Sequence, residues 1–140
     1  MKTVKRSFLK YGLQMVVDPE GWIQEATLIK KGRYPNYIPG EFEFNVKKVE
    51  GLSPFQKKVY TKLVKVPAGK TISYKDLGVK AGYENAARAV GAAMAKNKVI
   101  LFIPCHRVVQ SSGGLGNYSG HGGVDTKQLL LNFEESGGSI

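Results

Sequence analysis

The spacing of apolar and polar positions changes period at Ser53. Before it the chain reads as strands and loops. Leu13–Val17 and Trp22–Ile29 are apolar, β-prone runs on either side of Asp18-Pro19-Glu20-Gly21, which predicts a β-hairpin. Residues 32–40, with Pro35, Asn36 and Pro39, predict a loop. Phe42 and Phe44 alternate with Glu41 and Glu43, as a short half-buried strand requires.

From Ser53 the period is helical. Ser53-Pro54-Phe55-Gln56 sets serine at the N-cap, proline at the first helical position and glutamine where a capping box needs it. Phe55, Val59, Leu63 and Val66 follow at helical spacing until Pro67-Ala68-Gly69. Ser73-Tyr74-Lys75-Asp76 opens a second helix in box-like fashion, with Leu77 and Val79 inward and Gly82 as its stop. A third helix is predicted from Asn85 to about Asn97. Two short helices, a glycine-containing turn and a third helix outline a helix-turn-helix. Val99–Ile103 then predicts a buried strand broken by Pro104, and Ser111–Gly123 a loop with six glycines in thirteen residues. Asp125 is expected to cap a last helix, with Gln128 at the box position and Leu129, Leu130 and Phe133 as its apolar face. The expected fold is α+β: a short β-rich region over 1–50, then a helical, winged-helix-like domain over 51–140 carrying the helix-turn-helix.

A chain of 140 residues holds one ordinary domain, or a small one with a short appendage. At 42% hydrophobic and 23% charged its composition is that of a globular protein, not a disordered tail. One cysteine, Cys105, excludes an internal disulfide framework and a thiolate metal cluster, and no metal or cofactor is expected. No run approaches the roughly 20 apolar residues of a membrane span. MKTVKRSFLK lacks the long apolar core and cleavage site of a secretory signal, so the expected setting is the cytoplasm. The net charge of +10 is concentrated in residues 53–98, where ten basic side chains face only Asp76 and Glu84. Such a surface suits a polyanion.

The third helix is nearly bare of side-chain bulk: Ala86, Ala87, Ala89, Gly91, Ala92 and Ala93, with Arg88 as its one long cation. One face must pack on the core, and the other is thin enough to enter a narrow groove of DNA. The sharpest chemical motif is Pro104-Cys105-His106-Arg107-Val108. A cysteine reacts as thiolate, from a free pKa of about 8.5, so a neighbouring imidazole matters as a base. Adjacent strand residues point to opposite faces, so the pair requires an irregular turn, which Pro104 favours. Glu134 and Glu135 on the last helix are the candidates to orient the imidazole. A lone Cys-His pair is equally what an inert buried cysteine would show.

Ile103-Pro104-Cys105-His106-Arg107-Val108-Val109 with Gly116-Asn117-Tyr118-Ser119-Gly120 resembles the active-site segment of the O6-alkylguanine-DNA alkyltransferases, the methylated-DNA–protein-cysteine methyltransferases. The resemblance runs back through Ala86-Ala87-Arg88-Ala89-Val90-Gly91, Thr71-Ile72-Ser73-Tyr74 and Ser53-Pro54-Phe55-Gln56, and covers 53–135 in order. The first fifty residues resemble a shortened version of the family's N-terminal domain. The resemblance implies that Cys105 takes the alkyl group from guanine O6 and keeps it as a thioether, one turnover per molecule. It implies that His106 is a water-mediated base held by Glu134, that Tyr74 donates to guanine N3, and that Asn97 ties the recognition helix to the active-site turn. Arg88 would fill the stack when the lesioned base is rotated out. Ala86, Ala87, Gly91 and Lys75 would contact DNA, and Tyr118, Ser119, Met94 and Gly116 would form the base pocket with Val108, whose backbone, with that of Cys105, would read the exocyclic amine. The implied partner is double-stranded DNA containing O6-alkylguanine, bound by a monomer without a membrane. The alternative is a non-catalytic lesion-binding protein of alkyltransferase-like type, in which another residue, typically tryptophan, stands at the nucleophile position. A winged-helix regulator would leave Tyr74, Arg88 and the glycine loop without purpose, and a cysteine hydrolase would leave the basic helices unexplained.

Overall fold

In a computed structural model describing residues 1–140, the chain opens with a three-stranded antiparallel sheet ordered β1 (Lys2–Phe8), β2 (Tyr11–Val17), β3 (Ile23–Lys30). The β2–β3 hairpin forms as its sequence predicts. Asp18 Oδ1 accepts the backbone N–H groups of Glu20 and Trp22 at 3.0 and 2.9 Å and so fixes the turn. β1 was not legible. Its turn to β2 is Leu9-Lys10, without the Asn or Gly that marks tight hairpins, and Leu9 adopts a φ of 52° regardless.

Two expected strands are corrected. Phe42 and Phe44 are half-buried between exposed glutamates, as their pattern demands, yet this stretch makes only the isolated bridge between Trp22 and Glu43. Asn45 then caps a 3₁₀ turn at Val46–Lys48, which carries the chain away after that single pairing. Val99–Ile103 is buried as expected, apart from half-buried Phe102, but is a turn: the Ile103 N–H donates to Val99 O at 3.0 Å and Leu101 has a φ of 76°. The Asn97 side chain decides this by taking backbone groups a strand would need. Its Oδ1 accepts from Val99 N at 2.9 Å and its Nδ2 donates to Ile103 O at 2.8 Å.

Helix α1 (Pro54–Leu63) has the full reciprocal capping box of Ser53 and Gln56. Helix α2 (Tyr74–Lys80) has half of one, Ser73 accepting from the Asp76 N–H, and buries Leu77 and Gly78; Val79, expected inward, is exposed. A Cβ on Gly78 would meet Val90 at 3.4 Å, so glycine there lets α2 lie close to α3 (Ala87–Ala95). Between the two helices Gly82 and Asn85 turn the chain with φ of 95° and 53°. Helix α4 (Gly123–Glu135) is not capped by Asp125. Gly122 is its N-cap, and Asp125 lies inside the first turn, where its charge opposes the helix dipole favourably. Its buried face is also displaced from the expected one. Thr126, Lys127, Leu130 and Glu134 are buried, whereas Leu129 and Phe133 are half-buried.

A short parallel pair, β4 (Ile72–Ser73) with β5 (Val108–Val109), ties the start of α2 to the segment after Cys105. A tight turn over 110–114 follows, in the position of a wing. The fold is α+β, with one 30-residue core shared by the sheet and the helices. The sheet reaches the helical part through its edge. Ala26 donates to Lys98 O and accepts from Ile100 N, both at 2.9 Å, while Lys98 Nζ donates to Glu50 O at 2.8 Å.

Candidate active site

The sequence Ile103-Pro104-Cys105 folds as a tight turn in which the Cys105 N–H donates to Ile103 O at 2.8 Å, and Cys105–Arg107 forms one 3₁₀ turn. This is the irregular geometry the Cys-His pair requires. It leaves Cys105 5% exposed at the wall of a cavity of about 480 Å³ and puts His106 wholly in the interior behind it. The cavity volume is in the range of small-molecule sites.

Behind the cysteine lies a charged cluster. His106 Nε2 is 2.8 Å from Glu134 Oε1, and with the Nε2–H donating, Nδ1 is left as an acceptor with no partner in the chain. Arg107 Nε donates to the same carboxylate oxygen at 3.0 Å, its Nη2 to the other oxygen, and its Nη1 to Val66 O at 2.8 Å. Burial alone would raise the Glu134 carboxyl, but Arg107 and His106 outweigh it and hold it at about 2. Burial lowers His106 despite that carboxylate, so the imidazole is neutral. Burial likewise pushes the Cys105 thiol up, opposed by the Asn97 amide and by Lys127. The resting pair is therefore thiol and neutral imidazole, arranged for general-base activation rather than as a preformed ion pair.

Met94, Gly116, Tyr118 and Ser119, expected in the base pocket, line the cavity with Cys105, and so do Tyr74 and three residues expected to contact DNA, Ala87, Arg88 and Gly91. Burial raises the Tyr74 phenol, with the nearby Cys105 adding to it, so the hydroxyl stays a donor. Asn97 and Glu134 stand behind the wall; Glu135 is exposed and reaches neither His106 nor Arg107. Lys75 is exposed on α2 and Ala86 is the half-buried N-cap of α3, both off the cavity. Val108, expected to meet the base through its backbone, has its side chain in the core, and its carbonyl accepts from Lys127 Nζ at 2.6 Å.

Arg107 and Lys127 were missed. Lys127 is fully buried, donates also to the carbonyls of Leu115 and Asn117, and sits 5.7 Å from the Tyr74 ring centroid. Desolvation lowers it to about 8. It fastens the glycine loop to the segment after Cys105. The one available signal was spacing, since Lys127, Leu130 and Glu134 fall on one helical stripe.

The family model of the 6-O-methylguanine DNA methyltransferase DNA binding domain matches residues 54–136. The chain belongs to this family. The methylated-DNA–protein-cysteine methyltransferase of Methanosarcina barkeri is 36% identical over 132 residues, 92% of this chain and 82% of that protein. Among solved structures, Mycobacterium tuberculosis OGT in complex with DNA shares the fold with a TM-score of 0.79 at 24% identity, over 99% of this chain and 95% of that one. Schizosaccharomyces pombe Atl1, solved with damaged DNA containing O6-carboxymethylguanine, aligns more distantly. Its TM-score is 0.53 at 28% identity, over 60% of this chain and 78% of that one. The family match ends at Ser136, just past α4, so it spans the helix-turn-helix, the Cys105 turn and the helix supplying the carboxylate. No helix is long and apolar enough to cross a membrane.

Proposed function

We propose that this family member repairs DNA by moving the alkyl group of O6-alkylguanine in a duplex onto its own Cys105, once per molecule. The observation that carries this is the chain's only cysteine at the wall of a base-sized cavity, with a neutral imidazole behind it whose free nitrogen can take a proton.

A base stacked in a duplex cannot present O6 to a buried sulfur, so the nucleotide must rotate out, at a cost of a few kcal/mol. Arg88 on the exposed side of α3 takes the vacated place in the stack. Ala86, Ala87 and Gly91 let the helix backbone approach DNA, and Lys75 meets a phosphate. Ser119 and Tyr118 line the pocket near O6, with Met94 and Gly116 as its walls. As the sulfur attacks the alkyl carbon, the S–C bond forms and the C–O6 bond breaks. The thiol proton leaves to His106 Nδ1 through a water, and guanine gains one proton, with Tyr74 donating to N3 as charge builds on the ring. Glu134 holds the imidazole and stabilises it once protonated. The thioether is not an exchangeable disulfide, and the chain has no second thiol, so the protein is consumed. The protein acts as a monomer, in a reducing, DNA-bearing compartment that keeps the thiol free.

Incubation with duplex DNA containing O6-methylguanine should add one methyl mass to the Cys105 peptide, and Cys105→Ser should add none. Tight lesion binding without a mass change would overturn alkyl transfer in favour of a lesion sensor.

A further inference from the structure

A second concavity on the molecule is larger than the base pocket. It is a groove of about 730 Å³ on the other side of α2, between that helix and the end of α1. Ser73, Asp76 and Lys80 form one wall, whereas Tyr74, next in sequence to Ser73, faces the base cavity. The two concavities are thus separated by one helix, about 10 Å thick. Lys62, Lys65 and Lys70 form the opposite wall and the end of the groove, so four lysines face a single carboxylate, Asp76. Lys58, one turn before Lys62, extends the row along α1. All of these lysines are exposed, and none makes an ion pair within the chain.

We propose that this groove is a second DNA-binding surface, which holds phosphates of the duplex arm flanking the lesion while α3 engages the lesion itself. The proposal rests on the DNA-binding part of the function above, not on alkyl transfer. The lining chemistry selects the occupant. Lysines are strongly hydrated point charges suited to phosphate contacts that carry no sequence information, as a lesion occurring anywhere requires. No aromatic side chain lines the groove, so it has neither a stacking platform for single-stranded bases nor the aromatic anchors of a protein interface. The base cavity lies one helix away, so an arm bent toward α2 reaches both surfaces; the bend costs energy that the added phosphate contacts offset.

The test compares lesion duplexes of about 12 bp and about 30 bp, the shorter too small to bend around α2. The variant is Lys62→Gln/Lys65→Gln/Lys70→Gln/Lys80→Gln. Its affinity for the long duplex should fall at least about tenfold at low salt, and the log–log salt dependence should become shallower by about two to four, at about 0.9 for each phosphate no longer neutralised. Affinity for the short duplex and reaction with free O6-benzylguanine should be unchanged, which separates loss of the groove from loss of the active site. Asp76→Asn should tighten binding of the long duplex only. Equal losses on both duplexes, or no loss on either, would overturn the proposal. So would a groove that binds polyglutamate and loses it in the quadruple variant while long-duplex affinity holds, since the occupant would then be an acidic peptide.

Discussion

The buried carboxylate of Glu134 meets His106 Nε2 at 2.8 Å and is bridged across both of its oxygens by Arg107. Two adjacent residues of the Cys105 turn are thereby anchored to a single residue of α4. The same contact fixes the tautomer that leaves Nδ1 as a buried acceptor without a partner in the chain.

Glu134→Gln removes the charge that the Arg107 guanidinium and the imidazole are arranged around. Denaturant unfolding should show a loss of about 3–5 kcal/mol, the usual result of leaving one partner of a buried ion pair behind. The single-turnover alkyl-transfer rate should fall by about 10²-fold or more, the scale of general-base catalysis. Glu135→Gln, on the exposed side of the helix, should stay within about 0.5 kcal/mol of the parent.

Stability should decline on acidification in two overlapping stages. His106 titrates below its ordinary 6.5 in the folded chain, so the unfolded chain takes up that proton first and stability is lost as pH falls through 6.5. Glu134 sits at about 2 against an ordinary 4.5, so its contribution is complete above 4.5 and is lost between there and 2. Thermal midpoints from pH 7 to 3 should fall throughout, and Glu134→Gln should flatten the lower stage. On the alkaline side two shifts oppose one another. Cys105, raised, costs stability as pH rises past 9, while Lys127, lowered to about 8, adds stability between 8 and 10.5.

Lys127→Met would leave the carbonyls of Val108, Leu115 and Asn117 without their donor, at about 1–3 kcal/mol for each that stays buried. The glycine loop would detach from the wall of the cavity. Reaction rates with free O6-benzylguanine and with lesion duplex should therefore fall together, read alongside the unfolding midpoint.

Arg88→Ala should do the opposite to that pairing. Arg88 is exposed on α3 at the mouth of the cavity and supports no buried contact. Duplex repair should fall at least about tenfold, matching a few kcal/mol of base extrusion left uncompensated, while reaction with free O6-benzylguanine holds. Equal losses on both substrates would refute its role in the stack.

Gly116→Ala tests how the loop positions Tyr74. Gly116 has a φ of 76°, and a Cβ there would stand 2.6 Å from the Tyr74 hydroxyl. The substitution should cost about 1–2 kcal/mol in backbone strain and displace the phenol. The free-base reaction rate should drop while the secondary-structure signal, by circular dichroism, is unchanged.

The local grammar of the chain was strong enough to place α1, α2 and the β2–β3 hairpin, because caps, prolines and turn residues act on the backbone within a few positions. It also singled out Cys105 and His106 and required the irregular turn between them. It could not find β1, whose Leu9-Lys10 turn is held by pairing with β2 rather than by its own residues. It took Val99–Ile103 for a strand because burial was legible and the Asn97 side chain's claim on the Val99 and Ile103 backbone was not. Glu134 and Glu135 are adjacent carboxylates with the same composition around them, and only the rotation of α4 against the core turns one to His106 and the other to solvent. The same rotation buries Lys127 at a position any amphipathic reading gives to an apolar side chain. Buried charge is tolerated only where it is paired or hydrogen-bonded, and here the partners lie 28 residues apart for His106–Glu134 and 19 for Val108–Lys127, so the tertiary fold alone decided which charged residues serve the site.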